Sequence, residues 1–363
     1  MAFRLPTYVP PDFSLLENSS PVKTARVEID GVAPDGYHAM SIFPEYFNVG
    51  GNWILAEQSR MDCVAVLNGD NNIDIVEFRR LRSGDEVILG RTEDGSEGIY
   101  LHSGGFPLEG DEEGDIFAFR GGRSRETAYS RDYDELYELL RHEKKHGQTV
   151  WVLGPAASFD HDSRQAMSGL IEHGYVDVLF GGNALATHDL EGGIFKTALG
   201  QDIYTQKSRH NGHYNHLDLI NLARRHGSLK ELIDKEGIKD GIIHSALKKN
   251  IPVVLAGSIR DDGPLPSVYG DVYESQDAMR SHIRGATTVI TLATQLHTIA
   301  TGNITPTYTV RDGTVRPVFL YCVDVSEFAV NKLRDRGSLS CISIVTNVQD
   351  FLVLLRNNLV KDG

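Results

Sequence analysis

The stretch TVWVLGPA (149–156) is a near-continuous apolar run that ends at a glycine and a proline. Near-continuous apolar runs of this kind are typical of strands in a parallel sheet that is covered on both faces. Five further runs follow it along the chain: VDVLFGGN (176–183), IPVVLAGS (251–258), TTVITLATQ (287–295), PVFLYCVDV (317–325) and LSCISIVTN (339–347). The sequence therefore predicts a parallel sheet of at least these six strands.

Amphipathic, helix-like stretches separate the apolar runs. They include RQAMSGLIEHG (164–174), LDLINLARRHG (217–227), LKELIDKEGIKDGIIHSALKKN (229–250), AVNKLRDRG (329–337) and QDFLVLLRNNL (349–359). Strands that alternate with helices indicate the α/β class, here over residues 128–363. The stretch TYTVRDGTVRP (307–317), with Asp312-Gly313 at its tip, predicts a β-hairpin inserted between elements.

The N-terminal third has a different texture. Residues 1–22 are rich in Pro and Ser and predict an extended arm, and residues 23–127 predict a smaller β-rich first subdomain that ends in a linker. The linker, SGGFPLEGDEEGDIFAFRGGRSRET (103–127), mixes glycines with a dense acidic run and then arginines. A solvated linker is the simpler interpretation, and an active-site lid is the alternative.

Composition excludes several classes of protein. The formal net charge of −14, without a visible basic patch, argues against binding to nucleic acid. No apolar run approaches the roughly 18 residues that span a bilayer, and the N-terminus does not resemble a signal peptide. Three cysteines without a CxxC pair suit a reduced compartment. We expect a cytoplasmic protein without a membrane partner, and a homodimer or homotetramer.

Polar and small residues collect where the predicted strands end. Ligands of parallel α/β sheets bind beyond the carboxyl ends of the strands, because the connecting loops gather there. The residues at these ends are Gly154-Pro155, Gly181-Gly182-Asn183-Ala184, Ser258 to Gly263, Thr294 to His297, Asp324 and Asn347-Val348. The sequence therefore predicts one binding crevice at this edge.

The turn after the strand of residues 251–258 carries an unusual concentration of charge, Arg260, Asp261 and Asp262. In a functional interpretation, Arg260 clamps a substrate carboxylate through a bidentate contact, and one aspartate binds an amine or acts as general base. The alternative is a structural ion pair in a proline-rich turn. We take these three residues as the candidate catalytic group.

Two other strand ends suit a nucleotide. GGNALATHD (181–189) is a glycine-rich strand-to-helix turn, and a helix that starts near Ala184 directs N–H groups at a phosphate. A simple tight turn is the alternative, since G-x-G-x-x-G is absent from the sequence. Asp324 can accept a hydrogen bond from a ribose 2′-hydroxyl, which favours NAD over NADP, or it can cap a helix.

Histidine patterns give weaker signals. His210, His213 and His216 have no cysteine or carboxylate to complete a ligand set, so we predict no metal site. The His188-Asp189 step is a possible proton-handling pair, although a helix cap is the simpler interpretation. No G-x-S-x-G motif supports a serine nucleophile.

Six motifs occur along the chain: GGNALATHDLE (181–191), GHYNHL (212–217), PVVLAGSIRDDGPLP (252–266), LATQLHTIATGN (292–303), YCVDV (321–325) and ISIVTNV (342–348). In their order and spacing they closely resemble the archaeal-type ornithine cyclodeaminase family. That family carries the older label LOR/SDH conserved region and also forms the C-terminal module of cyanobacterial arginine dihydrolases. The resemblance covers about residues 28–360.

The resemblance implies an NAD-dependent enzyme that converts L-ornithine to L-proline and ammonia, with a small-molecule amino acid as its substrate. It also implies a nucleotide-binding α/β domain related to that of deoxyhypusine synthase. The family's NAD contacts fall here on Asn183, Ala184, Asp262, Thr294, Gln295, Leu296, His297, Asp324, Asn347 and Val348. These positions lie at the strand ends that the pattern alone had singled out.

Three departures from the family's pattern bear on the substrate. Ile42-Phe43-Pro44 stands where an Asn-His step usually precedes the proline, AASFDHD (156–162) replaces a His-Thr-Gly-like turn, and Asn347 replaces an aspartate. The first two leave an alternative open, an NAD-dependent oxidoreductase or lyase acting on another diamino acid or an opine-type amino acid. A catalytically silent NAD-binding sensor is the alternative from a different class.

Overall fold

A computed structural model describes residues 3–69, 71–107, 130–259, 261, 263–326 and 339–360, with no side-chain description at 130–132. Its N-terminal part contains seven strands in two antiparallel sheets, ordered β1-β6-β4-β5 and β3-β2-β7. Their bounds are β1 (Lys23–Arg26), β2 (Glu45–Val49), β3 (Asn52–Leu55), β4 (Val64–Leu67), β5 (Ile73–Val76), β6 (Glu86–Leu89) and β7 (Ile99–Leu101). Short 3-10 helices occupy Phe13–Leu16 and Phe78–Arg80.

Alternating side chains explain why these short strands pack. In β6, Val87 and Ile88 are both fully buried but belong to two different apolar clusters, on opposite faces of the sheet. Ile88 packs in one cluster with Phe47 of β2 and Ile99 of β7, which joins the two sheets. The predicted β-rich character of this part is confirmed.

The rest of the chain forms the parallel sheet. Seven strands lie in the order β13-β12-β9-β8-β14-β17-β18, and every pairing between neighbours is parallel. Their bounds are β8 (Thr149–Leu153), β9 (Val178–Gly182), β12 (Val253–Ala256), β13 (Val268–Tyr269), β14 (Thr288–Leu292), β17 (Phe319–Asp324) and β18 (Cys341–Val345). Two-residue strands β10 (Thr197–Ala198) and β11 (Gln201–Asp202) pair separately. The predicted fold class is confirmed, and the short β13 is an addition.

Helices cover both faces of this sheet. They are α1 (Ser130–His146), α2 (His161–Glu172), α3 (Asn183–Phe195), α4 (Asn215–His226), α5 (Leu229–Glu236), α6 (Ile242–Lys248), α7 (Val272–Ile283), α8 (Gln295–Ile304) and α9 (Val348–Leu359), with 3-10 helices at Pro155–Ser158 and Gly212–Tyr214. Trp151 and Leu153 face one apolar cluster, whereas Val150 and Val152 face the other. The continuous apolar runs therefore follow from burial of both faces.

One predicted helical stretch divides in two. The chain at 229–250 leaves α5 at Gly237, which has φ of +65°, and enters α6 after Gly241, which has φ of +118°. These backbone angles favour glycine, so the two glycines separate α5 from α6. The predicted helix at 329–337 lies outside the described residues.

The predicted hairpin is present as β15 (Tyr308–Arg311) and β16 (Thr314–Pro317). It docks on the N-terminal part, because Thr307 N donates to Ser59 O (3.0 Å) and Val310 N donates to Glu57 O (3.1 Å). The insertion thus joins the β-rich part to the parallel sheet. Most of the predicted linker at 103–127 lies outside the described residues. Among the described helices, none is both long enough and apolar enough to cross a membrane.

Candidate active site at the carboxyl edge of the sheet

The order of the strands defines a topological switch point between β8 and β14. From β8 the chain proceeds through β9 to β12 on one side, and from β14 through β17 to β18 on the other. Gly154 N donates to Leu292 O (2.7 Å), and a Cβ at Gly154 would overlap the carbonyl oxygen of Ala293. Only glycine allows the two backbones this approach. Ligands of parallel sheets bind at such a switch point, so this edge is the candidate site.

The glycine-rich turn becomes a helix at the predicted place. Gly182 is the N-cap of α3, and the helix starts at Asn183 without a side-chain cap. The Asn183 carboxamide oxygen accepts from Leu265 N (2.9 Å), which ties α3 to the loop that follows β12. Ala184 is partly exposed. The first turn of α3 therefore presents backbone N–H groups and a small side chain to the crevice, an arrangement that suits an anion.

His297 connects three of the strand ends. It lies in the first turn of α8, where Nδ1 is 3.0 Å from the hydroxyl of Thr294 and Nε2 is 3.2 Å from Ala256 O. A carbonyl oxygen only accepts, so Nε2 donates to Ala256 and Nδ1 accepts from Thr294. A Cβ added to Gly182 would come within 2.7 Å of the His297 ring. The imidazole therefore lies directly over the start of α3.

The charge state of His297 follows from this position. Burial lowers the pKa of the imidazole, and the Ala256 carbonyl and the Asp261 carboxylate only partly oppose that shift. The ring is therefore neutral near pH 7. Gln295 and Leu296, the other first-turn residues, are exposed, Leu296 by 58%. An exposed leucine beside a crevice offers an apolar contact to a ligand.

Asp261 forms two hydrogen bonds within its own turn, both to the backbone of Ser258. Its carboxylate accepts from Ser258 N (2.8 Å), and its own N–H donates to Ser258 O (3.1 Å). The carboxylate is partly buried at the end of β12 and close enough to affect the pKa of His297. Arg260 and Asp262 lie outside the described residues, so their roles stay predictions.

The remaining predicted residues lie on the far side of the switch point. Asp324 ends β17, and its carboxylate accepts from Ser326 N (2.8 Å). Asn347 is the N-cap of α9, with its side-chain oxygen accepting from Gln349 N (2.8 Å), and Val348 is buried. Asn347 therefore caps α9, and an asparagine directly before a predicted helix is the local sequence signal of that role.

The strand ends from β12 to β18 cover five strand spacings, about 24 Å at roughly 4.8 Å each. A single amino acid cannot contact both ends of such a row. An elongated ligand such as a dinucleotide can lie along it, with room for a second, smaller molecule. The structure thus places the described candidate residues along one edge, although it does not gather them at one point.

The helix-cap interpretation of the His188-Asp189 step is confirmed for Asp189, and His188 has a different partner. Asp189 is fully buried against Arg164 Nε (2.9 Å) and accepts from the first N–H groups of α6, so it is structural. His188 instead contacts Glu191, with 2.9 Å between Nδ1 and Oε2. The i,i+3 spacing of His188 and Glu191 on a helix is the local signal in the sequence for this contact.

The three histidines around the start of α4 do not come together. His210 and His213 are exposed, and His216 is partly buried beside His188, with 6.2 Å between ring centroids. Within the described part of the chain, no three His, Cys, Asp or Glu side chains are arranged to hold a metal ion.

Parallel sheet, switch point and uncapped helix start together define an α/β fold with a nucleotide-type crevice. The model of the family "Arginine dihydrolase ArgZ-like, C-terminal, Rossmann fold" matches residues 135–355, and the chain belongs to this family. It is 37% identical over 347 residues to an ornithine cyclodeaminase of Methanocaldococcus jannaschii, covering 94% of this chain and 78% of the relative. The resemblance noted in the sequence is thereby confirmed, and the family is one of enzymes.

Two solved structures are similar over 94% of this chain. A LOR/SDH protein from Methanococcus maripaludis superposes with a TM-score of 0.84 at 32% identity, covering 94% of this chain and 98% of that one. A ternary complex of AgrE with ornithine and NAD⁺ superposes with a TM-score of 0.59 at 32% identity, covering 94% of this chain and 46% of that one.

Proposed function

We propose that this protein is an NAD-dependent ornithine cyclodeaminase, which converts L-ornithine to L-proline and ammonia. The observation that carries the proposal is the similarity over 94% of the chain to a relative of that name, extending over 78% of the relative. The AgrE complex, which contains both ornithine and NAD⁺, supports the same pairing of ligand and cofactor.

The residues at the carboxyl edge fit NAD. The start of α3 offers N–H groups for the diphosphate, because no side chain caps it. Asp324, at the end of β17, is proposed to accept from a ribose hydroxyl, and Thr294, Gln295, Leu296 and His297 are proposed to contact the cofactor as well. In addition, we propose cofactor contacts for Ala184, Asn347 and Val348, and for Asp262.

Bound NAD supplies a hydride acceptor that later returns the hydride, so the overall reaction needs no external oxidant. The protein's part is to hold the two nitrogens of one substrate in reach of the same carbon. Such an arrangement reaches an effective molarity of about 10⁵ M or more. We propose that Arg260 binds the substrate carboxylate and that Asp261, held at the end of β12, receives the side-chain ammonium group and its proton.

The test is an incubation of purified protein with L-ornithine and a catalytic amount of NAD⁺, followed by mass spectrometry. We expect proline and ammonia in a one-to-one ratio, many turnovers for each NAD⁺, and no net NADH. Accumulation of NADH in proportion to product would indicate an ordinary oxidative deamination and would contradict the proposal.

A second candidate substrate is another diamino acid. Ile42 and Phe43, which replace polar residues usual in the family, are partly exposed beside the docked hairpin, where Thr307 Oγ1 donates to Ile42 O (2.6 Å). An apolar lining there suits a different side chain. Lysine and 2,4-diaminobutyrate in the same assay would distinguish the two, and turnover of any of them would exclude a silent NAD sensor.

The assembly and location expected from the sequence stay predictions. A closed homodimer or homotetramer would give one discrete mass in light scattering, independent of concentration over the micromolar range. A fluorescent fusion would test the cytoplasmic location.

A further inference from the structure

Glu191 is a fully buried carboxylate that receives hydrogen bonds from four groups. They are His188 Nδ1 (2.9 Å), Thr197 Oγ1 (2.7 Å), Leu199 N (3.3 Å) and Gly200 N (3.2 Å). The backbone groups and the hydroxyl all serve as donors, which is the environment of an ionised carboxylate. Glu191 is therefore a fixed negative charge, held in place independently of any ligand.

This fixed charge determines the tautomer of His188. Nδ1 lies between the Glu191 carboxylate at 2.9 Å and Leu199 N at 3.4 Å. The shorter contact is to a group that only accepts, so Nδ1 carries the proton and donates it to Glu191. Nε2 of the neutral ring then keeps its lone pair. It has no hydrogen-bond partner among the described residues and is not fully buried.

His188 lies in the second turn of α3, the helix whose start borders the crevice. Its ring packs edge-on against Phe159, at 5.7 Å between centroids, in the loop that leaves the switch point at Gly154. The ring of His216, at the start of α4, lies 6.2 Å away. In the described residues, Glu191 and His216 are the titratable groups with a hydrogen bond or ring contact to His188.

A carboxylate that fixes one ring nitrogen and leaves the other free is the arrangement of a general base. We propose that His188, oriented by Glu191, transfers protons to and from the α-nitrogen of the diamino-acid substrate. This inference rests on the proposed cyclodeamination, which handles two amino groups. It assigns the α-nitrogen to His188, and leaves the side-chain ammonium to Asp261.

Each proton that a side chain takes up is returned within one turnover. Nε2 takes one proton from the α-ammonium, and the neutral amine can then release a hydride from its carbon to bound NAD⁺, giving an iminium. The neutral side-chain amine attacks that carbon, and the new ring nitrogen loses its surplus proton to water. Nε2–H protonates the α-nitrogen, its bond to carbon breaks, and ammonia leaves. The returned hydride reduces the C=N bond of the ring, and the ring nitrogen then takes up the proton that Asp261 had received. Both His188 and Asp261 are thereby back in their starting states.

The first variant is His188→Gln, compared with His226→Gln. His226 is a matched control, because it also contacts a glutamate, Glu236 (2.8 Å), but on α4 and α5 at the surface. We expect His188→Gln to lower kcat by about 10²- to 10⁴-fold, the usual contribution of a general acid–base group, with little change in KM. The acid limb of the wild-type kcat/KM profile should disappear in this variant, and the control should match the wild type.

Two further measurements separate catalysis from a structural role. Added imidazole should restore part of the activity of His188→Ala. In ¹⁵N NMR of the histidine rings, wild-type protein without substrate should show His188 with its proton on Nδ1, and Glu191→Gln should shift the population toward Nε2–H. NAD⁺ binding by calorimetry and the thermal unfolding midpoint of each variant establish that the fold persists.

Each outcome has one meaning. Wild-type protein without turnover of any diamino acid overturns the proposed function, and this inference with it. An active wild type with a folded His188→Gln variant of similar kcat and pH profile overturns only the inference. If His188→Gln does not fold, the rescue of His188→Ala by imidazole and the pH profile of Glu191→Gln decide. A Glu191→Gln variant that loses stability but keeps the wild-type pH profile counts against the inference.

Discussion

Glu143 is a single residue that joins segments far apart in the chain. It is fully buried on α1, with Oε1 2.8 Å from Arg316 Nη2, and it also accepts from the hydroxyl groups of Thr287 and Thr288. Arg316 is itself 3% exposed. The pair therefore connects α1, the start of β14 and the hairpin.

Removing this carboxylate should leave a buried guanidinium unpaired. We expect Glu143→Gln to lower the free energy of unfolding by about 3–5 kcal/mol, measured by urea denaturation. Glu86→Gln, which breaks the exposed pair with Arg26, should cost less than about 1 kcal/mol. Equal effects of the two variants would show that burial of the Glu143 pair has no energetic consequence.

Paired carboxylates also predict how stability depends on pH. Burial raises the pKa of Glu143, but Arg316 and the Thr287 hydroxyl outweigh burial, so the net shift is downward. Burial also raises the pKa of Glu77 and of Asp277, and neighbouring arginines again outweigh it, so both pKa values are lowered. A lowered folded-state pKa gives stability that is present above the unfolded pKa, near 4, and is lost as pH falls through the folded value. We expect the urea concentration at the unfolding midpoint to decrease as the pH is lowered below 4. The difference in this midpoint between wild type and Glu143→Gln should become smaller over the same range. A gap that widens would contradict this sign.

Gly154 has a steric role at the switch point. A Cβ there would overlap the Ala293 carbonyl oxygen, which is backbone and cannot rotate away. We expect Gly154→Ala to destabilise the protein by about 1–3 kcal/mol and to weaken NAD⁺ binding, measured by denaturation and calorimetry. Gly270→Ala is the control, because a Cβ at Gly270 meets no atom within 4 Å. If Gly154→Ala left both the free energy of unfolding and NAD⁺ binding unchanged, the two loops would be able to separate at little cost in free energy.

At the scale of elements, the hairpin β15–β16 is the link between the two parts of the molecule. Tyr308 is fully buried, and its hydroxyl donates to Ala56 O (2.5 Å), next to β3. Burial raises the pKa of Tyr308 well above its usual value. The phenol is therefore protonated at all ordinary pH values and remains a donor.

Tyr308→Phe should leave the Ala56 carbonyl oxygen without this donor. We expect a loss of about 1–3 kcal/mol, the cost of an unsatisfied buried polar group, measured by urea denaturation. Tyr204→Phe is a suitable control, because Tyr204 is 56% exposed. A loss no larger than that of the control would indicate that water replaces the hydroxyl.

At the scale of the whole molecule, charged side chains join the β-rich part to α7. Glu77 contacts both Arg60 and Arg280, and Arg79 donates to Asp277 (2.7 Å). The side chains of Glu77, Arg60 and Arg280 are 17%, 11% and 5% exposed. This junction couples the two parts more strongly than surface pairs could.

Breaking the junction should make the β-rich part unfold first. The chain has two tryptophans, Trp53 in β3 and Trp151 in β8. In a Trp151→Phe background the fluorescence of Trp53 reports the β-rich part, and in a Trp53→Phe background that of Trp151 reports the parallel sheet. We expect coincident urea transitions in the wild type and a lower midpoint for the Trp53 signal in Glu77→Gln. Asp30→Asn, which breaks an exposed pair with Arg82, should leave the transitions coincident. Coincident transitions in Glu77→Gln would show that other contacts provide the coupling.

The sequence by itself determined the α/β class, six of the seven described parallel strands and the edge that carries the candidate site. Each of these follows from local pattern, because a strand buried on both faces must be apolar along its length and must deliver its polar residues after its end. The glycine and asparagine at 182 and 183 were found in this way, and so was the helix that starts there.

Only the tertiary structure decided which side chains meet. Arg316 and Glu143 are 173 positions apart, Leu265 and Asn183 are 82 apart, and no local pattern relates them. His188 contacts Glu191 and not Asp189, although all three lie close together in the sequence. Tertiary contacts decide this too, because Arg164 and the start of α6 already bind the Asp189 carboxylate. Periodicity fixes the face on which a residue lies, whereas its partner depends on how separate elements pack.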